Sequence, residues 1–401
     1  VLEAAEVGFG ASGRNGGWFS ALFPADMDKL SKLSNPQAAV AMQHEMFAVV
    51  QRIGEELRLN HIEADWHQGG TFTGIRTKVQ AARAQTEARW WRDWGFSEAD
   101  FRLLDRDSAA AKVNMTELLG ASFTPHCARV HPLKLVRGLA KAVEALGGNI
   151  FEQTTVSRLD AEEVQLASGH RVRAHRAVIR ATEAYTSKFP KQKREVAPVY
   201  SLMVATEPLP QDVWDEIGLR KYETFADYRH LIIYGQRTAD DRIAFGGRGA
   251  PYHFNSNIDA KHELHPPTHD AIWRELVEVF PTLRDFKRTH NWGGALGIAR
   301  DWTASVGRHS AGFFQAGGYV GDGLGTSALA GQTLAELLTE RTTVRTALPW
   351  VNHQSRKWEP EPLRWLGVNA GLRVMSVADG EERISGKPSL IAKTFNRFVR
   401  S

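Results

Sequence analysis

The sequence predicts a mixed α/β and α+β fold: a parallel sheet with helical connections, interrupted by an inserted antiparallel-sheet domain. Three observations carry this expectation. Strands that feed helices lie towards both ends of the chain, a strand-rich block spans 198–249, and a strand at 312–317 runs through glycines into a helix. Val1-Leu2-Glu3 reads as the end of a parallel strand. Gly8-Phe9-Gly10-Ala11-Ser12-Gly13 satisfies G-x-G-x-x-G, but no apolar strand precedes it and no apolar helix follows, so the match reads as coincidence. Asn35-Pro36 supplies an N-cap and a first helical residue, and Val40, Phe47, Val50, Ile53 and Leu57 mark one face of a helix ending at Leu59. A short strand at 69–74 and a charged helix over 77–94 follow. His131-Pro132 opens a further helix with Leu135, Val136, Leu139, Val143 and Leu146 on one face, and Gly147-Gly148 ends it. Strands are expected at 149–156 and 177–182, with a hairpin around Ala167-Ser168-Gly169. In the central block 199–205, 230–236 and 242–247 read as strands, and Thr268 reads as the cap of a helix carrying Ile272, Leu276 and Phe280. The final strand leads into a helix over 326–338.

A length of 401 residues suffices for two or more domains with large cores. No uncharged apolar run approaches a membrane span and no signal-peptide pattern is present, so no membrane partner is expected. The net charge of +4 is small for this length. Lys387, Lys393, Arg397 and Arg400 alternate with apolar residues, as in a solvated helix face, and no nucleic-acid partner is expected. The single cysteine, Cys127, excludes an intramolecular disulfide framework, fits a cytoplasmic setting, and reads as a buried small hydrophobe. His262, His265 and His269 do not read as a metal site, because Pro266-Pro267 interrupts the helix that would align them. Ser12 and Ser327 each follow a Gly-x pair without completing G-x-S-x-G.

Two segments have the chemistry of a nucleotide site. A carboxylate at the end of a second parallel strand, here Glu3, accepts hydrogen bonds from the ribose hydroxyls of a bound adenosine. On that reading a first strand, its glycine loop and a helix are expected to precede Val1 in the full-length protein. At the other end, Gly317, Gly318, Gly321, Gly323 and Gly325 let backbone approach a ligand without intervening side chains. The helix they lead into offers unpaired N–H groups and a positive dipole end, suited to phosphate or to negative charge on the pyrimidine end of a reduced flavin. The same glycines also suit a tight turn before a packed helix.

Taken in order, 1–3 with 8–17, His131-Pro132-Leu133-Lys134-Leu135-Val136-Arg137-Gly138-Leu139, 205–209, 240–248, Trp292-Gly293-Gly294 and Gly317-Gly318-Tyr319-Val320-Gly321-Asp322-Gly323-Leu324-Gly325 resemble the FAD-dependent D-amino-acid/glycine/sarcosine oxidase family, nearest its gamma-glutamylputrescine oxidoreductase-like branch. The resemblance implies a Rossmann-like FAD-binding domain, discontinuous over 1–65, 126–195 and 290–345. It implies an inserted antiparallel-sheet substrate domain over 66–125 and 196–289, and a C-terminal extension over 346–401 that covers either the substrate entrance or a subunit interface. It implies oxidation of the carbon–nitrogen bond of a small-molecule amine or amino acid by hydride transfer to flavin, with O2 or an electron carrier taking the electrons onward. Carried over by position, Glu3 binds ribose, and Ala11, Ser12, Gly13, Arg14, Asn15 and Gly16 form the loop beside pyrophosphate and flavin. Val156 contacts adenine, and Thr182 and Glu183 lie near the cofactor. Gly318, Tyr319, Gly321, Asp322, Gly323, Leu324 and Gly325 cover the flavin ring. Arg14 stands near a histidine position through which some relatives attach FAD, and Cys127 is far from the corresponding cysteine position, so FAD is expected to be noncovalent. Trp292, Tyr319 and Trp18 line an amine pocket or are core aromatics. Arg300, beside Asp301, pairs either with a substrate carboxylate or in a surface ion pair, and Arg248 supplies positive charge for oxygen reduction.

Overall fold

The computed structural model describes residues 1–247 and 249–392. Among them the largest sheet has eight strands, in the order Arg288–Ala299, Val196–Thr206, Ile243–Gly247, Ile233–Arg237, Thr224–Asp227, Thr71–Ile75, Gly120–Thr124 and Arg102–Leu104. Neighbours are antiparallel except Thr224–Asp227 and Thr71–Ile75, which run parallel. Strand side chains alternate between faces. One face sends Leu202, Val204, Phe225 and Phe245 into a core closed by Ile272, Leu276 and Val279 of the helix Pro266–Val279. The opposite face carries Ser201, Met203, Tyr234, Gln236, Trp292 and Gly294, and it is this face that meets the loop at 11–17.

A second layer contains the parallel pair Val178–Arg180 and Phe313–Gly317, extended by Ser305–Ser310. Leu2 bridges Phe151 in parallel, which realises the strand end expected at 1–3. The hairpin at 167–169 joins Glu163–Leu166 to Arg171–Arg173. Helices Pro36–Leu59 and Gly323–Leu338 bury Met42, Met46, Val49, Leu329, Ala330 and Leu334 in a common core. Asn35 caps the first of these through its side chain on Ala38 N–H, with Pro36 opening the helix, as its sequence requires. Thr77 caps Lys78–Asp93 in the same way.

Several expectations are corrected. The strand Arg288–Ala299 pairs with Val196–Thr206 along nearly its whole length, so 290–299 belong to the antiparallel sheet and not to the nucleotide-binding layer. The helix carrying Ile272 and Leu276 begins at Pro266, not beyond Thr268. The two prolines open it, in the first-turn positions where a missing N–H is harmless, instead of interrupting it. The last core helix starts at Gly323, which draws Gly323 and Gly325 into its first turn. On the helix Pro132–Ala145, Leu135 is buried, whereas Leu139, Val143 and Leu146 are exposed. No helix among the described residues is long and apolar enough to cross a membrane. Of the basic tail, Lys393, Arg397 and Arg400 lie outside the described residues.

Within the C-terminal extension, 23 residues form the helix Leu363–Ser385. It is fastened to the eight-stranded layer by Asp379, whose carboxylate accepts from His230 N–H at 2.7 Å and Leu231 N–H at 2.8 Å. Glu382 adds Arg83 and the His230 ring. His230, Asp379 and Glu382 have the spacing of metal ligands. Arg83, however, reaches both the His230 ring and Glu382, so the cluster already holds a cation and reads as an anchor. Removing the Asp379 carboxylate deletes two charge-assisted hydrogen bonds, together worth on the order of 2–3 kcal/mol. Asp379→Ala is therefore expected to speed proteolytic cutting around 386–388 at least tenfold, and unchanged cutting would show that the helix is held by other contacts.

Candidate cofactor and active site

The loop at 11–17 is built by its own side chains and by the sheet beneath it. Ala11–Arg14 forms one helical turn. Asn15 ties it off, with Nδ2 donating to Ala11 O and Ser12 O, and Oδ1 accepting from Gly17 N–H at 2.9 Å. Gly13 packs on the Gly8 carbonyl, and Gly8 packs on Leu133 and Val136. The glycines of the G-x-G-x-x-G match thus serve packing on the helix Pro132–Ala145, which is the physical reason that match stands outside a strand-to-helix turn. Ala11 lies against Gly294 and Gly16 against the ring of Tyr234, and Gln236 Nε2 donates to Gly16 O at 2.7 Å. Trp292 Nε1 donates to Arg14 O at 2.9 Å. Tyr234 is fixed by its hydroxyl on Ser201 Oγ at 2.7 Å and by Trp18, edge-on at 5.9 Å.

Charge at this face is internally paired. The guanidinium of Arg14 lies over the Phe9 ring and forms an ion pair with Glu263, from the short turn Ala260–Glu263. Burial raises the Glu263 carboxyl above its ordinary value, and Arg14 works against that rise.

The segments after the two parallel strands meet one another. Thr182 Oγ1 bonds Thr186 Oγ1 at 2.8 Å. Glu183 accepts from Tyr319 N–H at 2.9 Å and Gly318 N–H at 3.3 Å, joining the loop at 181–183 to the turn at 317–322. Burial pushes its carboxyl up to about 7 against the pull of those two N–H groups. No side chain caps the helix that begins at Gly323, with Asp322 as its N-cap and Leu324 packed into the core, so its first-turn N–H groups keep their dipole character. Across the molecule, Glu3 Oε1 accepts from Ala5 N–H, and Val156 joins Leu2, Val164, Val178 and Phe313 in a small apolar cluster.

The structure therefore brings together the loop at 11–17, Trp292, Thr182, Glu183 and the turn containing Gly318, Tyr319, Gly321 and Asp322 around one end of the eight-stranded sheet. It places Val156 beside Leu2, next to Glu3. Arg300 is committed elsewhere, its Nε donating to both oxygens of Glu359 at 3.0 Å while its guanidinium lies over Trp358. That is the ion-pair alternative, made by the C-terminal extension. Arg248 lies outside the described residues. Sequence reasoning missed Tyr234, Gln236, Ser201 and Glu263. For the first two a signal existed: flanking Gly235 at a spacing of two, they must share a strand face. For Glu263 no local signal exists, since only folding sets it opposite Arg14.

These donors fit FAD. Glu3 would offer a carboxylate to ribose, and the uncapped helix terminus would offer its N–H groups to an anion. Fold and site thus define a flavin-dependent oxidoreductase. A sequence profile of FAD dependent oxidoreductases matches residues 1–337, and the chain belongs to that family. A probable oxidoreductase OrdL of Haemophilus influenzae is 29% identical over 346 residues, which cover 84% of this chain and 76% of that protein. Gamma-glutamylputrescine oxidoreductase of Escherichia coli is 28% identical over 343 residues, covering 84% and 77%. Glycine oxidase from Geobacillus kaustophilus shares the fold, with a TM-score of 0.72 at 19% identity over 88% of this chain and 91% of that one.

Proposed function

We propose that this chain oxidises the carbon–nitrogen bond of an amine or amino acid, with the imine product hydrolysing to an aldehyde or keto acid. What supports the reading is that the 11–17 loop packs on Trp292 and Gly294 of the strand Arg288–Ala299, and that Glu183, packed on Gly297 of the same strand, joins it to the turn at 317–322. FAD supplies the hydride acceptor when bound, and O2 is its expected oxidant, giving H2O2. The chain's own residues position and desolvate. Trp18, Tyr234 and Trp292 form a wall with π-faces suited to an amine, and it is rigid because each ring has a polar tether or an edge contact. The paired Arg14 and Glu263 offer one charge of each sign to a substrate bearing both. No strong protein base is required once a neutral amine is held in the cleft.

The same reading makes FAD noncovalent. The Cys127 thiol is buried against Thr224 and pushed up to about 11 by burial, so it is a poor nucleophile. Denaturing the protein is expected to release all flavin into the supernatant, and flavin that stays with the precipitate would contradict this. The test of function is anaerobic. A yellow protein is expected to bleach with a primary or secondary amine or an amino acid, and then to recolour with air while consuming O2 and releasing peroxide. Bleaching without peroxide formation would make the enzyme a dehydrogenase, and a protein that stays yellow with every amine tried would defeat the amine reading.

A further inference from the structure

Glu183 is unusual among the residues of this cleft. It follows the strand Val178–Arg180, holds a left-handed φ of 43°, and aims its carboxyl at the Gly318 and Tyr319 N–H groups. Gly297 makes its room, since a Cβ there would come 2.2 Å from Glu183 Oε2. No basic side chain among the described residues forms an ion pair with it. The residue is half-buried as a whole, and its carboxyl lies deep among protein atoms.

We infer that FAD binding to this chain takes up a proton at Glu183, so that the complex holds the Glu183 side chain as a neutral acid. The inference rests on the FAD-binding reading above. FAD brings a doubly charged diphosphate into a fold whose 183 carboxyl is already removed from water. That charge penalises a second buried anion that has no cation beside it. The nearby Arg14 is already neutralised by Glu263. Oε1 and Oε2 each accept one backbone N–H; on protonation the carbonyl oxygen keeps its bond and the hydroxyl oxygen, which retains a lone pair, keeps a weaker one.

The surroundings support this. Burial already brings the carboxyl to about 7 in the chain alone. The titratable group that faces it is the Tyr319 phenol, whose own pKa burial and the Glu183 charge push up, so the phenol stays neutral. Of the strands packed on the turn Glu183–Lys188, Arg288–Ala299 presents Gly297 to the carboxyl, and no ionic contact comes from Val196–Thr206. A group that must be neutral in the complex leaves affinity unchanged below its free-state value. Above that value affinity weakens by up to about tenfold per pH unit.

The test is titration of the full chain with FAD by quenching of protein fluorescence, at about pH 6, 7, 8 and 9, beside calorimetry in two buffers of different ionisation enthalpy. Native protein is expected to show a nearly constant Kd to about pH 7, then roughly tenfold weakening from pH 8 to 9, with close to one proton taken up at pH 8. Glu183→Gln keeps one acceptor oxygen and sets an NH2 against the other N–H, so it is expected to bind FAD more weakly at every pH but with a flat profile and no proton uptake. Infrared spectra of the native complex at pH 8 are expected to show a protonated-carboxyl C=O band that the variant lacks. A pH-independent native Kd, no proton uptake, or the same pH slope in Glu183→Gln would overturn the inference while leaving FAD binding intact. A native chain that binds no FAD at any pH would overturn the binding reading, and the inference with it.

Discussion

Gly17→Ala is expected to destabilise the protein by about 3 kcal/mol or more and to strip it of flavin. Gly17 has a φ of 69°, a region an alanine occupies only at a cost of about 1 kcal/mol. Its missing side chain matters more. A Cβ there would stand 2.2 Å from the Val130 carbonyl and 2.1 Å from Gln236 Nε2. The carbonyl cannot retreat freely, because Val130 N–H donates to Gly17 O at 2.9 Å and the ladder of Trp18–Ser20 on Cys127–Arg129 starts beside it. Displacing Gln236 also breaks its bond to Gly16 O, the contact that seats the 11–17 loop on the sheet. Thermal unfolding together with visible flavin absorbance per mole of protein measures both effects. A variant with native melting temperature and native flavin content would show that the loop is not held as described.

Asp301→Asn is expected to cost roughly 2 kcal/mol at neutral pH and to make stability fall less steeply than in native protein between about pH 4 and 2. Burial alone would raise the Asp301 carboxyl. The His353 ring, 2.7 Å from Oδ2, and the neighbouring Lys29 ammonium outweigh it and bring the group down to about 2. A folded-state value below the unfolded one means that the charged form stabilises the fold. That stabilisation is complete above the ordinary value of 3.8 and is lost as pH falls towards 2. Asp301 stands at a junction. Its carbonyl accepts from Lys29, its carboxylate from Thr303 N–H, and its own N–H donates to Ser355 Oγ, so it ties the long sheet strand to the extension beyond 346. Urea unfolding of both proteins across this pH range measures the difference, and parallel curves for native and variant would place the acid-sensitive group elsewhere.

Where a stretch of chain decides its own conformation, sequence was enough. Asn35-Pro36, Thr77 and Gly147-Gly148 mark helix ends because a side-chain cap, a ring-fixed φ or a missing Cβ acts within one turn. The hairpin at 167–169 and the strand-to-glycine passage at 313–325 are legible for the same reason. Failures fall where a distant partner arbitrates. Nothing near 290 reveals that Arg288–Ala299 will ladder with Val196–Thr206, and nothing near Arg300 shows that Glu359, 59 residues on, will take its guanidinium. Pro266-Pro267 misled because a proline pair breaks a helix from inside and starts one from its end, and the sequence does not say which end it has met.

By itself, then, the sequence determined the class of fold, the strand end at 1–3 and the glycine turn at 317–325, since each depends on residues within a few positions of one another. The tertiary structure alone decided which groups meet. Tyr234 over Gly16, Glu263 against Arg14 and Glu183 beneath Gly318 come from segments tens to hundreds of residues apart, and their meeting is fixed by sheet register and helix packing, which no local pattern encodes.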